Sequence, residues 1–545
     1  MKYISLSILS LCLMLSAQSQ TIADAKKSIY YGRDESAKKI LQTIVSAPPA
    51  DPDAVYLLGE LCLRQGNLYA AYNIYTEKAG AMLQEAYNKK KSPLVYIGWA
   101  HVLLDTGRAA EGKALMENIL NETKYKNVDA LRAIAIVNMD STTGDLQRAI
   151  QLLGLAINRD KKDATLYNLL GDAYRKLHDG SNAVLNYILA LQVDPANTEA
   201  LYKNGKIYKT QNNPDIYMEK FKEAYATDST YTPVLYELYQ YYFSRDVYYA
   251  QLYFTKYIEH SDPDPQQAYL AADLDYISKK YTEAIAKAIE VLHTEGGISQ
   301  PRLYKLIAYS YAALGDSSKA FNYMNQYFDK QDTTGYVAKD FFLQGQLMEK
   351  ESQDTSHIIA TYTKGLSLEK EVANKVDYLN NLIRIASASN NNLQEAYWRG
   401  ELYTTKPNAS NLDLYKWGMA LYQGSSYQKA DSVFAIYQYK YPDQLYGYLY
   451  RAKSNTYLDS AMEKGLAVPY YKKLIEVAEK DEVKNKTVLV MAYEYLAAYE
   501  ANVTKHYAAS LEYFDKLLAL DPANADAAKN SKVIKGWMEK EKASK

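Results

Sequence analysis

The residues able to do chemistry are scattered along this chain. Its six histidines (His101, His178, His260, His293, His357 and His506) include no two at helical i, i+3 or i+4 spacing. A His-Glu-x-x-His zinc signature is absent, as are the glycine-rich phosphate loops and the Gly-x-Ser-x-Gly nucleophile turn. Ser36-Ala37-Lys38-Lys39 fits the Ser-x-x-Lys pattern, in which serine is the nucleophile, but the companion motifs of that chemistry are missing. Cys62 stands in the apolar run Leu57-Leu58-Gly59-Glu60-Leu61-Cys62-Leu63, the setting of a packed thiol rather than a reactive one. The sequence therefore predicts a non-catalytic protein with no metal and no cofactor.

Binding chemistry is better represented. Of 545 residues 56 are Tyr, against 9 Phe and 4 Trp. A tyrosine offers a rigid apolar face with a polar tip, at low entropic cost when it is immobilised. Basic and acidic residues balance at 63 and 64, so no global charge draws the chain to nucleic acid or anionic lipid. Hydrophobic content of 48% with 23% charged residues is that of a folded chain, too long for a single core.

The first residues read as an address. Met1-Lys2-Tyr3 gives a positive start, Ile4 to Ser16 is uncharged and apolar, and Ala17-Gln18-Ser19 supplies small residues before a cleavage point. Residues 1–19 are thus expected to be a signal peptide, which places the mature chain in the bacterial periplasm or associated with the envelope. The apolar run is shorter than the ~20 residues that span a bilayer, and no later stretch is longer, so the mature chain is expected to have no transmembrane segment.

The elements that position the tyrosines follow from a repeat. Gly171 and Gly205 lie 34 residues apart, as do Tyr174 and Tyr208, Tyr187 and Phe221, and Ala190 and Ala224. Within residues 163–197, Tyr167, Leu170, Gly171 and Tyr174 share one helical face. After a turn at Asp179-Gly180-Ser181-Asn182, Ala183, Tyr187 and Ala190 form the facing stripe of a second helix. Asp194-Pro195 ends that helix. Trp417, Gly418, Leu421, Ala430, Phe434, Tyr437 and Pro442 repeat the offsets, and Tyr304, Ala308, Tyr311, Ala320 and Met324 repeat them in part.

This pattern of aromatic, Leu-Gly, Tyr, Ala, aromatic, Ala and Pro resembles the tetratricopeptide repeat family. The resemblance implies an all-α, right-handed solenoid of about 14 helix-turn-helix pairs over residues 20–524. Its clearest repeats are 163–197, 198–231, 301–334, 411–444 and 490–524, and those near 338–370, 375–407 and 445–480 are degenerate. Residues 525–545 are expected to form a capping helix docked through Ala527, Ile534, Trp537 and Met538.

The same resemblance implies a concave groove lined by the first helix of each pair. Asn168, Asp172 and Arg175, then Tyr202, Lys206 and Lys209, then Tyr236, Gln240 and Phe243 recur there at i, i+4 and i+7. Lys305, Tyr309, Tyr415 and Tyr422 hold equivalent places. Members that clamp a C-terminal carboxylate carry Lys then Asn where this chain has Asn168 then Asp172, which argues against that ligand. The implied function is a scaffold for protein–protein interactions in a secretion, assembly or export machine of the cell envelope. An alternative is a glycan- or peptide-binding module of polysaccharide export or uptake, using the tyrosines of the groove.

Overall fold

The computed structural model describes residues 21–78, 93–294 and 300–544, so the expected signal peptide lies outside it. The described residues form fourteen consecutive antiparallel helix pairs and a last helix, Ala525–Ser544, with no strand among them. No helix among them is long and apolar enough to cross a membrane. The chain divides into two compact units, Met1–Thr294 with eight pairs and Glu295–Lys545 with six pairs and the last helix.

The pair Ala164–Lys176 and Gly180–Val193 shows how sequence becomes structure. Asp163 caps the first helix by accepting from Thr165 N, and Asp179 caps the second by accepting from Asn182 N. Because Asp179 is the cap, the second helix begins at Gly180. The turn expected at residues 179–182 therefore lies earlier, at Leu177-His178-Asp179. The connecting residue has positive φ in many pairs. It is glycine at Gly66, Gly107 and Gly315, and another residue at His178 (60°) and Asn212 (53°).

Inside three of the five clearest pairs an aromatic ring lies on a glycine of the partner helix. A Cβ added to Gly171 would collide with the ring of buried Tyr187, and one on Gly205 would sit 2.7 Å from Phe221. Gly418 stands in the same relation to Phe434. So does Gly345 to Tyr362, within a repeat whose sequence reads as degenerate. Tyr75 serves two glycines at once, Gly59 of its own pair and Gly98 of the next.

Within the first unit the array curls back on itself. Tyr31, in the first turn, donates its hydroxyl to Asp228 at 2.8 Å, and the Tyr30 ring lies 5.0 Å from that of Tyr231. Asp262 accepts from Glu35 N at 2.8 Å and Ser36 N at 3.1 Å. It thereby caps helix Asp34–Ser46, which has no side-chain cap of its own. The first pair thus meets the loops that open the seventh and eighth.

At the other end, Ala527 and Ile534 of the last helix are buried, and Trp537 lies 6.0 Å from Tyr507. Cys62 is buried, and burial raises its thiol pKa, which keeps the thiol protonated and unreactive.

Gly171→Leu forces a side chain into the space held by Tyr187. The expected cost is about 1–3 kcal/mol, seen as a lower thermal denaturation midpoint. An unchanged melt would mean that the two helices do not depend on that approach.

Candidate binding face

The first helices of successive pairs are tied to one another by polar contacts 31 residues apart. Arg132 pairs with Asp163, and Lys203 with Asp172 at 2.5 Å. Lys206 pairs with Glu237 at 2.6 Å, and Tyr309 donates to Asp340 at 3.0 Å. The spacing is the repeat of 34 less about one helical turn, so each residue reaches the next first helix one turn towards its N-terminus.

These contacts account for many of the positions read as groove. Asn168 is 1% exposed, and its amide donates to Asn197 and Glu199. Asp172 also accepts from the Tyr187 hydroxyl at 2.9 Å. Lys206 and Lys209 converge on the buried carboxylate of Glu237. Lys305 and Tyr309 both reach Asp340, which is fully buried and also accepts from Tyr327. Tyr202 packs between Phe221 and Tyr231, Tyr236 against Tyr239 and Tyr257, and Phe243 against Tyr239. Arg175 and Gln240 remain exposed, whereas Tyr415 and Tyr422 join a larger group of tyrosines. Periodicity places a residue on a face, but which side chain waits on the neighbouring helix is decided by packing.

One cavity on the first-helix face was not legible in the sequence. It has a volume of about 280 Å³ and is formed in the first four pairs. Helix Pro52–Arg64 contributes Asp53, Tyr56, Leu57, Glu60, Leu61 and Arg64, which recur every three or four residues on one stripe. Helix Val128–Asp140 presents Asp129, Arg132, Ala133, Ile136 and Asp140 in the same rhythm. Leu94 comes from the third pair, and Lys26 and Ile29 from the first. Caps fix the start of each wall. Asp51 accepts from Asp53 N, with Pro52 at the first helical position, and Asn127 accepts from Ala130 N. The lining joins an apolar floor to charges of both signs. Two of its polar atoms, Asp53 Oδ1 and Arg132 Nε, are buried with no hydrogen-bond partner in the protein. The available signal was the stripe on each helix. These N-terminal repeats keep few of the signature residues that mark where one helix meets the next.

Behind the cavity lies His101, 3% exposed. Its Nδ1 is 3.0 Å from Glu60 and its Nε2 3.7 Å from Asp105. Burial opposes the charged imidazolium. The hydrogen bond to Glu60 and the charges of Glu60, Asp105 and Asp140 outweigh it, and the net pKa is raised.

A raised histidine pKa stabilises the fold fully below the unfolded-state value of about 6.5, and that stabilisation is lost as pH rises through the folded value. The thermal midpoint is therefore expected to be higher at pH 6 than at pH 8.5, with His101→Gln shrinking the difference. An equal pH response in that variant would exclude His101 as the source. Asp340→Ala is expected to cost about 3–5 kcal/mol, since it removes the buried carboxylate on which Lys305, Tyr309 and Tyr327 converge. A denaturation midpoint near that of the wild type would contradict this.

No protein-family model matches the chain, and no curated protein does. Among solved structures it is similar to the C-terminal part of a TPR repeat-containing protein from Cytophaga hutchinsonii, with 27% identity over 48% of this chain and 98% of that one, at a TM-score of 0.28. A tetratricopeptide repeat protein from Parabacteroides merdae matches 46% of this chain and 97% of its own, with 17% identity and a TM-score of 0.32. The Cut9–Hcn1 hetero-tetramer of APC/C matches 96% of this chain and 98% of its own, with 13% identity and a TM-score of 0.27. At such TM-scores the assignment rests on the chain's own geometry. With its 34-residue period, its consecutive helix pairs and, in many of them, a ring seated on glycine, this chain folds as a solenoid of tetratricopeptide-like helix pairs.

Proposed function

We propose that this chain is an exported, non-catalytic scaffold that holds other proteins of a secretion, assembly or export machine of the cell envelope. The observation that carries the reading is the cavity of the first unit. Its apolar floor of Ile29, Leu57, Leu94 and Ile136 suits an apolar side chain, and the charged residues that line it, among them Lys26, Glu60 and Arg64, suit the backbone groups beside that side chain. A peptide supplies both, because every residue other than proline carries an N–H and a C=O beside its side chain. The residue order of segment 1–19 supports export.

Photo-crosslinking in cells tests the proposal. A crosslinker at Ile136 is expected to capture discrete envelope proteins, and exposed Lys26→Glu to abolish the products without lowering the melting midpoint. Products identical to those from a crosslinker at exposed Tyr248, or none at all, would overturn it.

A further inference from the structure

The first unit closes on itself through a contact that the stacking of neighbouring pairs does not require. Tyr31, in the turn of the first pair, donates its hydroxyl to Asp228, ahead of the seventh pair, and its carbonyl accepts from Thr232 Oγ1. The Tyr30 ring is 5.0 Å from that of Tyr231 and 5.1 Å from that of Tyr31. Asp262, ahead of the eighth pair, accepts from the backbone N–H groups of Glu35 and Ser36 and from the Ser36 hydroxyl. Glu35 is exposed, and Tyr31, Ser36 and Asp262 are half-buried. Hydrogen bonds at such a boundary trade for bonds to water at small net cost, so the contact opens without unstacking the pairs. Small rotations between successive pairs, summed over the stack, supply the movement.

The same first pair forms a wall of the cavity. Lys26 and Ile29 of helix Ile22–Tyr30 line it, together with Leu57 of the second pair and Ile136 of the fourth. Tyr30 and Tyr31 follow Ile29 directly, within one helical turn. Among the described residues no helix precedes Ile22–Tyr30, so its place is set by its own pair, by the second pair and by this contact. Neither Tyr31 nor Asp262 lines the cavity. A group bound against both Ile29 and Ile136 holds the first pair to the fourth, in the arrangement that the contact also holds. Two events that select one arrangement favour each other, and the coupling is reciprocal.

We infer that the contact is a clasp on the cavity: occupancy closes it, and opening it loosens the occupant. The inference deepens the scaffold reading, and rests on it for the occupant, by naming how capture at that cavity is controlled. Whatever competes for Asp228 or Asp262 thereby weakens the hold on the partner, without touching the residues that bind it.

Hydrogen–deuterium exchange of the full chain reads the clasp, because the amides of Glu35 and Ser36 belong to a helix start with no side-chain cap of its own. Slow exchange over residues 34–37 is expected. Tyr31→Phe with Asp262→Ala is expected to speed it about tenfold, the size of one charge-assisted hydrogen bond, while helix Val128–Asp140 exchanges as before. Asp262→Asn keeps an accepting oxygen and is expected to fall between. Occupancy is imposed without a partner by coupling benzyl methanethiosulfonate to Ile136→Cys, in a chain carrying Cys12→Ser with buried Cys62 unchanged. Exchange over residues 34–37 is expected to slow about fivefold on that modification, and not on the same modification of Tyr248→Cys at an exposed position. In cells, the double clasp variant is expected to lower the crosslinking yield from Ile136 about tenfold. Fast exchange in the wild type, equal exchange with and without the benzyl group, or an unchanged crosslinking yield in the clasp variant would each overturn the inference. Failed exchange tests with wild-type capture intact remove the clasp alone. Absence of capture from the wild type removes the scaffold reading, and the exchange tests still decide the clasp.

Discussion

The structure depends on a ring meeting a glycine. Two helices of a pair approach closely where one of them carries a small residue, and Tyr187 over Gly171, Phe221 over Gly205, Tyr362 over Gly345 and Phe434 over Gly418 are that approach at its tightest, with Ala308 and Met324 its counterpart where glycine is missing. A pair joined in this way still has an apolar stripe uncovered, and only the next pair covers it. Tyr75, seated against Gly59 and Gly98 together, shows the same ring closing one pair and joining it to the next. From that contact follow the consecutive stacking, the common orientation of first helices, and the faces left for binding.

Stacking through apolar faces alone would leave the angle between neighbours loosely set. The polar ties at 31-residue spacing add direction. A carboxylate such as Asp340 or Glu237 is buried only because cations and hydroxyls from the preceding pair surround it. Such buried pairs are costly to break, which makes them markers of register more than sources of net stability.

The repeat and its helix pairs were legible in the sequence because each pair solves its own packing problem with residues close together in the chain. Gly171 and Tyr187 are 16 residues apart, and so are Gly205 and Phe221. The repeat holding Gly345 and Tyr362 read as degenerate because its turn is one residue longer, which shifts the ring out of register with the signature while leaving the contact intact. The binding face was less legible. Asn168, Asp172 and Lys206 sit on the expected helices, yet Asn168 is buried and the other two are joined to Lys203 and Glu237 of the next repeat. The cavity of the first four pairs was invisible, since its walls come from repeats with weak signatures.

By itself the sequence determined what depends on near neighbours: helices from their period and caps, pairs from glycine and aromatic offsets, and an all-α array from the recurrence of both. Tertiary structure decided what depends on distant ones. It set Tyr31 on Asp228, brought Asp53 and Arg132 to one cavity, and divided the tyrosines into those packed on cores, such as Tyr187 and Tyr450, and those left half exposed, such as Tyr446 and Tyr457. The physical reason is that a helical period fixes the direction of a side chain about its own axis but not what another helix places opposite it. That depends on the small rotation between successive pairs, accumulated over the whole stack.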